Sequence, residues 1–520
     1  MAVTNYSRWV MKSQFTILLV WLCSHVTFAQ KEANIWYFGS QAGFDFNTNC
    51  QPTALTNSPI DANFGVAVLS DGKTGQLLVY TNGHEVFNRE HRVMPTGTYK
   101  DYAGSGPFPQ RALFVPVPDQ PSVYYFFRMS EVFSTGNLTN LVDLHYSRVD
   151  MRLDSGRGDV IQNDKDTDLA GGLACRLTAV RHANGRDYWL LAHQWNSDAF
   201  LIYPITSKGI GKADTIHIGS AYRDQEPWGF IKASPNGQKL ACSVLNTTAR
   251  PFDLFDFNAS TGKLSNYLSL GDIRVQYGVS FSPDNTKLYV SNRTLAEPGQ
   301  NASREVIRQY DLKAGTTEAI VMSGKSIIYQ NPNRALAEAV ETNRTGFYSP
   351  ALQIAPDGRI YAAADYSNEV SGDPCQNCKH HFLVINKPNE VGFACDVQLQ
   401  TAELGSGTVG DVSDWPNFMQ HYFNGLLPRD CAFDSNDECS ADNIRLFPSP
   451  ASNTLEILVT DICFTPYTLR IINMAGQILA EHDVKTPVSQ QVNVSQLAGG
   501  MYVAELRFAN RTITKRFLKH

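Results

Sequence analysis

Ala233-Ser-Pro-Asn-Gly-Gln-Lys-Leu-Ala241 returns, altered, as Phe281-Ser-Pro-Asp-Asn-Thr-Lys-Leu-Tyr289 and as Ile354-Ala-Pro-Asp-Gly-Arg-Ile-Tyr361. Weaker copies are Leu69-Ser-Asp-Gly-Lys-Thr-Gly-Gln-Leu-Leu78 and His182-Ala-Asn-Gly-Arg-Asp-Tyr-Trp189. Each copy describes a tight turn between two strands. Proline presets φ, Asp/Asn-Gly tolerates the positive φ such a turn needs, and the apolar run opens the next strand. Pro235 and Pro283 lie 48 residues apart, the length of a four-stranded unit, whereas Pro283 and Pro356 lie 73 apart. The longer interval predicts an insertion at 291–345.

Outward from these turns, residues 30–425 read as strand after strand. Phe64-Gly-Val-Ala-Val-Leu69, Gly75-Gln-Leu-Leu-Val-Tyr80, Val123-Tyr-Tyr-Phe-Phe127 and Tyr188-Trp-Leu-Leu-Ala192 are apolar or alternating runs set between Gly, Asn, Asp and Pro clusters. Sustained helical periodicity is almost absent, residues 334–341 being the best exception. The turn-and-strand pattern resembles the β-propeller blades of the YVTN and WD-type families. That resemblance implies an all-β body, and about 395 residues suit seven blades. An array of β-sandwiches is the alternative.

The bulk properties agree. The 520 residues are 43% hydrophobic and 18% charged, enough for a large core. The net charge of −6 shows no basic excess to suit nucleic acid. Aromatics at 11% favour strands. At the N-terminus Arg8 and Lys12 precede Phe15-Thr-Ile-Leu-Leu-Val-Trp-Leu22, then Thr27-Phe28-Ala29. This is the layout of a signal peptide cut before Gln30. The apolar run is short for a membrane span, so no transmembrane segment is expected after cleavage. Leu22 stands where a lipoprotein signal before Cys23 would need a small residue. Export permits disulfides, and nine of the ten cysteines remain, so at least one thiol is unpaired.

A second resemblance covers the first half of the body. Asn34-Ile-Trp-Tyr-Phe-Gly39, Gly43-Phe-Asp-Phe46, Gly75-Gln-Leu-Leu-Val-Tyr-Thr-Asn-Gly83, Val86-Phe-Asn88, Met94-Pro95, Tyr146-Ser-Arg-Val-Asp-Met151 and Gly158-Asp-Val160 resemble a family of exported Bacteroidota proteins. It implies location more than activity. Residues 426–442 are polar and turn-rich and read as a linker, in which Cys431 and Cys439 are candidates for a disulfide.

From residue 443 the pattern changes. Strands are expected at Leu455–Val459, Thr468–Ile472, Gln490–Val494 and Tyr502–Phe508, with turns at Gly476 and around Gly500, in a small immunoglobulin-like sandwich. Pro448 and Pro450, the Asn473-Met-Ala-Gly476 turn, Leu497-Ala-Gly-Gly-Met-Tyr502 with Gly500 and Tyr502, and a basic-apolar terminus including Lys515 closely resemble the type A sorting domain of the type IX secretion system. Phe447 and Ser449 depart mildly from the Tyr and Asn usual there. The resemblance implies crossing the periplasm, engagement of the type IX translocon and a sortase, and surface display, with surface lipopolysaccharide as a possible attachment partner. The expected organisation is thus signal peptide 1–29, propeller 30–425, linker 426–442 and sorting domain 443–520.

Chemistry is harder to find. Cys375-Gln-Asn-Cys378-Lys-His-His381 has zinc-like spacing, but such sites normally repeat the pair. A disulfide among Cys375, Cys378 and Cys395 is the stronger expectation in an exported chain. Asp71, Asp284 and Asp357 serve as turn formers without EF-hand spacing. No Gly-x-Ser-x-Gly, His-Glu-x-x-His or P-loop occurs. No cofactor, metal or catalytic residue is therefore assigned. Glu226 and Trp228, with Asp224 nearby, are the ligand-site candidates: an indole beside carboxylates suits a sugar face, although Trp228 packing between blades is the bland alternative. The favoured function is a surface-displayed binding or scaffold protein for an unknown glycan or protein. A secreted glycan hydrolase or lyase using channel carboxylates is the runner-up, and a structural surface role the third reading.

Overall fold

The computed structural model describes residues 30–47, 51–62, 64–99, 109–131, 141–222, 228–294, 304–328, 350–363, 379–404, 414–428, 444–447, 450–459, 467–484, 490–508 and 512–520. The signal peptide, Glu226, Asp224, Cys375, Cys378, Cys431, Cys439, Pro448 and the helical stretch 334–341 lie outside them.

Among the described residues, strands form seven sheet sectors in the body. Blade 1 begins with Ala67–Ser70, blade 2 with Ala112–Pro116, blade 4 with Ile231–Ala233, blade 5 with Gln276–Phe281 and blade 6 with Ala351–Ile354; each continues as an antiparallel meander. Blades 2 and 3 share one strand. Thr167–Arg181 pairs through its first part with Val142–Asp150 of blade 2, then through its second with Tyr188–Gln194 of blade 3. Gly172, with φ of 68°, sits where the strand passes from one blade to the next, a conformation that costs other residues more. The seventh sheet comprises Ile35–Ser40, Ala42–Asp45, Thr53–Leu55 and Asp61–Ala62.

Contacts between neighbouring sectors close these sheets into a ring. A core of Leu69, Val79, Phe114 and Phe126 joins blades 1 and 2. Val180, Leu191, Phe200, Leu240 and Phe255 join blades 3 and 4. The Ser243 hydroxyl donates to the Tyr277 carbonyl between blades 4 and 5. The seventh sheet bridges the remaining gap. Trp36 meets Tyr361 of blade 6 with centroids 5.8 Å apart, and Ser70 N–H of blade 1 donates to the Glu32 carbonyl at 2.8 Å. The body is a β-propeller.

The five repeat turns fall at corresponding places, between the first and second strands of blades 1, 3, 4, 5 and 6. Gly185, Gly237 and Gly358 each donate to the carbonyl three residues back with positive φ, and Asn285 takes the same place in Ser282-Pro-Asp-Asn285. All these short turns lie at one end of the ring. The connections from second to third strands, and from each blade to the next, join strand ends at the other end of the ring and vary in length, from two residues at 274–275 and three at 82–84 to the spans 132–141, 218–230, 295–303, 327–350 and 364–378. Of the expected insertion at 291–345, the described residues 291–294 and 304–328 belong to blade 5, through Lys287–Thr294, Arg304–Asp311, Lys325–Ser326 and the short helix Thr317–Met322, whose first turn is capped by the Thr316 hydroxyl accepting from Ala319 N–H at 3.2 Å.

The C-terminal sandwich packs a three-stranded sheet, Ile444–Phe447, Thr454–Val459 and Gln490–Asn493, against a four-stranded one. The second holds Tyr467–Asn473, Ile478–Val484, Gly500–Phe508 and Thr512–Lys519. The four expected strands are present and three more complete the sheets. Leu455, Ile457, Leu469, Ile471, Leu506 and Phe517 fill a core of their own.

Inner strands of blades 5 and 6 touch at Gly278. A Cβ there would lie 2.3 Å from the Pro350 carbonyl oxygen and 2.6 Å from Leu352 N, both backbone atoms with little room to yield. Gly278→Ala should therefore lower unfolding free energy by about 1–3 kcal/mol, as overpacking does; urea unfolding followed by tryptophan fluorescence measures it, and an unchanged midpoint contradicts this contact.

Candidate functional site

Trp228 lies just ahead of the inner strand of blade 4, at the end of the ring that carries the longer connections. The indole is half-buried against the main core and its Nε1–H is buried without a partner. Its carbonyl accepts from Leu245 N–H at 2.9 Å and from Arg176 Nη2 at 3.3 Å. Sequence reasoning offered Trp228 as either a sugar platform or a packing residue, and its contacts here are packing ones.

Arg176 anchors the approach to Trp228. It projects from the shared strand into the blade 3–4 interface and is fully buried. Its guanidinium lies 4.2 Å from the Tyr222 ring centroid. Tyr222 in turn donates to Asp253 at 2.6 Å, and Asp253 also accepts from Ser220 Oγ and the Tyr267 hydroxyl. Burial raises the Asp253 carboxyl despite these donors. His193, next to Tyr222, is pushed down to about 3 by burial and stays neutral. The tyrosine ring thus stands between a buried cation and a buried acid, and Ser220 and Tyr222, which carry the chain toward Trp228, are tied to the blade 4 strand Arg250–Asn258.

The centre of the ring is occupied by the chain itself. Residues 414–423, Asp-Trp-Pro-Asn-Phe-Met-Gln-His-Tyr-Phe, reach the inner strands of blades on several sides. Asn417 Nδ2 donates to the Ala112 carbonyl at 3.1 Å and the Leu177 carbonyl at 3.0 Å, while its backbone N–H donates to Val66. Gln110 clamps the segment to blade 4: its Oε1 accepts from Ile231 N–H at 2.7 Å, and its Nε2 donates to the Ile231 carbonyl and to Asn417 Oδ1. Gln420 Nε2 reaches Gln353 Oε1 of blade 6 at 3.3 Å, and Gln353 Oε1 also accepts from Lys232 Nζ. Trp415 Nε1 donates to the Tyr361 carbonyl at 3.0 Å and its ring packs on Trp36 and Phe38. No feature of the sequence reading singled out this segment. Its density of amides and aromatics, with Asp414 its one acidic residue, was the available signal.

Asp414 is fully buried, with Oδ2 accepting from Gly65 N–H at 3.3 Å and Oδ1 unpartnered. Burial pushes its carboxyl up to about 7; burial likewise lowers Lys232, while the charge of each favours that of the other. Catalysis by paired carboxylates needs two such groups converging on substrate. Among the described residues, Asp414 and Lys232 are brought near each other at the axis.

Cysteines depart from expectation at one position. Cys395 is a buried free thiol, as are Cys175 and Cys242, and burial pushes Cys175 and Cys395 up to about 12. A disulfide involving Cys395 is thus corrected: the strand-end segment Gly392–Cys395 folds its side chain into the core of blade 6. Among the described residues no cluster of three or more His, Cys, Asp or Glu could hold a metal, and no helix is long and apolar enough to cross a membrane.

The sorting-domain residues sit at structural corners. Gly476, with φ of 84°, donates its N–H to the Asn473 carbonyl at 2.9 Å in the hairpin turn. Gly500 begins a strand in which the Tyr502 hydroxyl turns back to the Ala498 carbonyl at 2.8 Å. Lys515 pairs across the sheet with Ala504, and Pro450 is exposed at the domain's opening.

Residues 445–520 match the family model described as the secretion system C-terminal sorting domain. No curated protein matches the chain. Among solved structures, the chain is similar to the periplasmic gluconolactonase PpgL of Pseudomonas aeruginosa, with 13% identity, 88% of this chain and 98% of that one covered and a TM-score of 0.33. It is also similar to a Bacteroides fragilis protein provisionally described as a 6-phosphogluconolactonase, with 13% identity, 82% and 96% covered and a TM-score of 0.34. Those activities are statements about those proteins. The sorting domain marks this chain as a secreted protein of the kind often attached to the cell surface.

The axis yields two expectations. Asn417→Ala strands two buried carbonyls and the Gln110 amide, and should lower stability by about 1–3 kcal/mol; Asn417→Asp should be worse, because it sets a charge against those carbonyls, and an equal or milder effect in urea unfolding would contradict the assignment. Asp414, raised in the fold from an ordinary value near 3.8 to about 7, contributes stability that is present below the lower value and lost as pH rises through the higher. Relative to Asp414→Asn, the wild type should therefore lose melting temperature between about pH 4 and pH 7; parallel pH profiles for the two proteins would refute it.

Proposed function

We propose that this secreted chain is a surface-displayed binding or scaffold protein whose propeller body holds a glycan or protein ligand. In this reading, signal peptide 1–29 opens the export route, the body runs over 30–425, residues 426–442 link it, and 443–520 direct sorting. The type IX translocon, a sortase and, at the surface, lipopolysaccharide are its partners in transit and attachment. The observation that supports binding over catalysis is the axis: residues 414–423 fill it with amides and aromatic rings, where a hydrolase would need a water-accessible pair of carboxylates. A closed ring with repeat turns at one end and several long connections at the other is a frame for presenting loops.

Two measurements test this reading. In the native host, the full chain should be found outside the cell by surface proteolysis, trimmed in intact mass at both ends, while a chain lacking 443–520 should accumulate in the periplasm. Equal export of the truncated chain would remove the sorting argument. In parallel, purified mature protein incubated with surface polysaccharides should release no new reducing ends. Turnover that disappears in Glu226→Gln would replace binding with catalysis.

A further inference from the structure

A cleft of about 1440 Å³ opens at the short-turn end, opposite Trp228. Its walls are the repeat turns of blades 3 and 4, the Asp256–Ser260 turn of blade 4, and the chain leaving the axis at Gln420–Leu427. Nothing in the sorting function or the axial packing requires this space. Small-molecule sites usually occupy about 300–1,000 Å³, so the cleft suits several linked units rather than one small molecule.

Its lining mixes apolar surface, from residues such as Val180, Pro235, Phe257 and Leu427, with polar groups of which few are charged. Lys239 is paired with Asp256 at 2.7 Å, and Arg181 folds back to donate to the Gly185 carbonyl. The remaining polar groups are mostly amide and hydroxyl. The exposed Asn258 uses its Oδ1 to accept from Ser260 and Thr261 N–H, and the exposed Asn424 uses its own to accept from Asn285 Nδ2. In each case the turn uses the oxygen and not the NH2. Gln238, also exposed, engages only a long contact of 3.4 Å from Asn236 through its Oε1. On the blade 3 wall, His182 stacks on Trp189 with centroids 5.3 Å apart and an interplanar angle of 28°, giving a flat imidazole backed by an indole.

We propose that this cleft binds an uncharged oligosaccharide chain. This deepens the binding reading above and rests on it. Sugar hydroxyls and ring oxygens match uncharged donors and acceptors spaced along two walls, and the stacked His182 offers a face for an apolar sugar surface. An extended peptide would ordinarily add to a free sheet edge, and these walls are turns. An acidic glycan would want several unpaired cations; Lys239 is held by Asp256, which leaves Arg181, bonded to the neutral Gly185 carbonyl, as a single positive charge at the wall.

The mature full-length protein should be applied to a printed array of uncharged β-glucan, mannan, galactan and xylan fragments, with polygalacturonate and sulfated glycans alongside, and the best binder then titrated by calorimetry. His182→Ala and Gln238→Ala should each weaken binding roughly three- to tenfold, the loss of one hydrogen bond or contact. Both should keep the wild-type melting temperature, and Trp228→Ala should leave affinity unchanged. Binding only to the acidic members, affinity indifferent to both cleft variants, or no glycan bound by the folded protein would each overturn the proposal. If no glycan binds but a surface protein is captured by cross-linking and identified, the cleft assignment fails while the binding reading stands. If the bound glycan is cleaved, the binding reading itself fails.

Discussion

One side-chain amide, that of Asn417, holds the middle of this molecule. A propeller's inner strands present carbonyls and N–H groups to a narrow axis, and each of those groups must find a partner or forfeit its hydration. Here the chain supplies the partner from its own later residues. Asn417 spans blades 2 and 3, Gln110 ties it to blade 4, and Gln420 reaches blade 6. Trp415 fills the apolar space beside them, against Trp36, Phe38 and Tyr361. A neutral amide can donate and accept at once without bringing a charge into the interior, which is why Asn and Gln recur at this position while the single acid, Asp414, has its carboxyl raised by burial.

With the axis filled, the two ends of the ring become separate surfaces. At one end short turns are locked by proline, glycine and asparagine, and by cross-blade bonds such as Asn236 N–H to Asn285 Oδ1 at 2.9 Å. The exit segment lies across them: Gly425 N–H donates to the Pro283 carbonyl, and Leu427 passes so close to Gly358 that a Cβ there would meet its backbone at 2.7 Å. At the other end, the Arg176–Tyr222–Asp253 stack fixes the approach to Trp228. Glycine at 358 therefore serves two constraints at once, the positive φ of its turn and the close passage of the departing chain.

Much of this was legible because the repeat turns have a mechanism. Pro-Asn-Gly and Pro-Asp-Asn can make few things other than a tight reversal, and all five copies occupy equivalent places. The sixth turn, Val117-Pro-Asp-Gln120, escaped notice because Gln120 stands where the other copies have Gly or Asn; Asp119 takes the positive φ instead. The strand shared by blades 2 and 3 was illegible as well, since Gly171-Gly172 reads as a break between strands rather than a bend within one. The axial segment carries no period-2 alternation, as it pairs through side chains and not through a ladder. Cys395 was offered a disulfide because export permits one, whereas the fold buries it as a free thiol. In the C-terminal domain, Thr512–Lys519 reads as a charged tail because only Ile513, Phe517 and the stem of Lys519 face inward.

The position of the axial segment also sets an order of events in time. Residues 414–423 are the last of the body to leave the ribosome and, in N-to-C export, the last to cross a membrane. Until they arrive, the Ala112 and Leu177 carbonyls and the Gln110 amide lack Asn417, and Trp36 lacks the indole of Trp415. The ring's final closure is thus deferred to its own C-terminal end, immediately before the sorting domain. Closing the body is a late, length-gated step, and a chain ending between residues 404 and 413 would hold every blade and still have an unsatisfied centre.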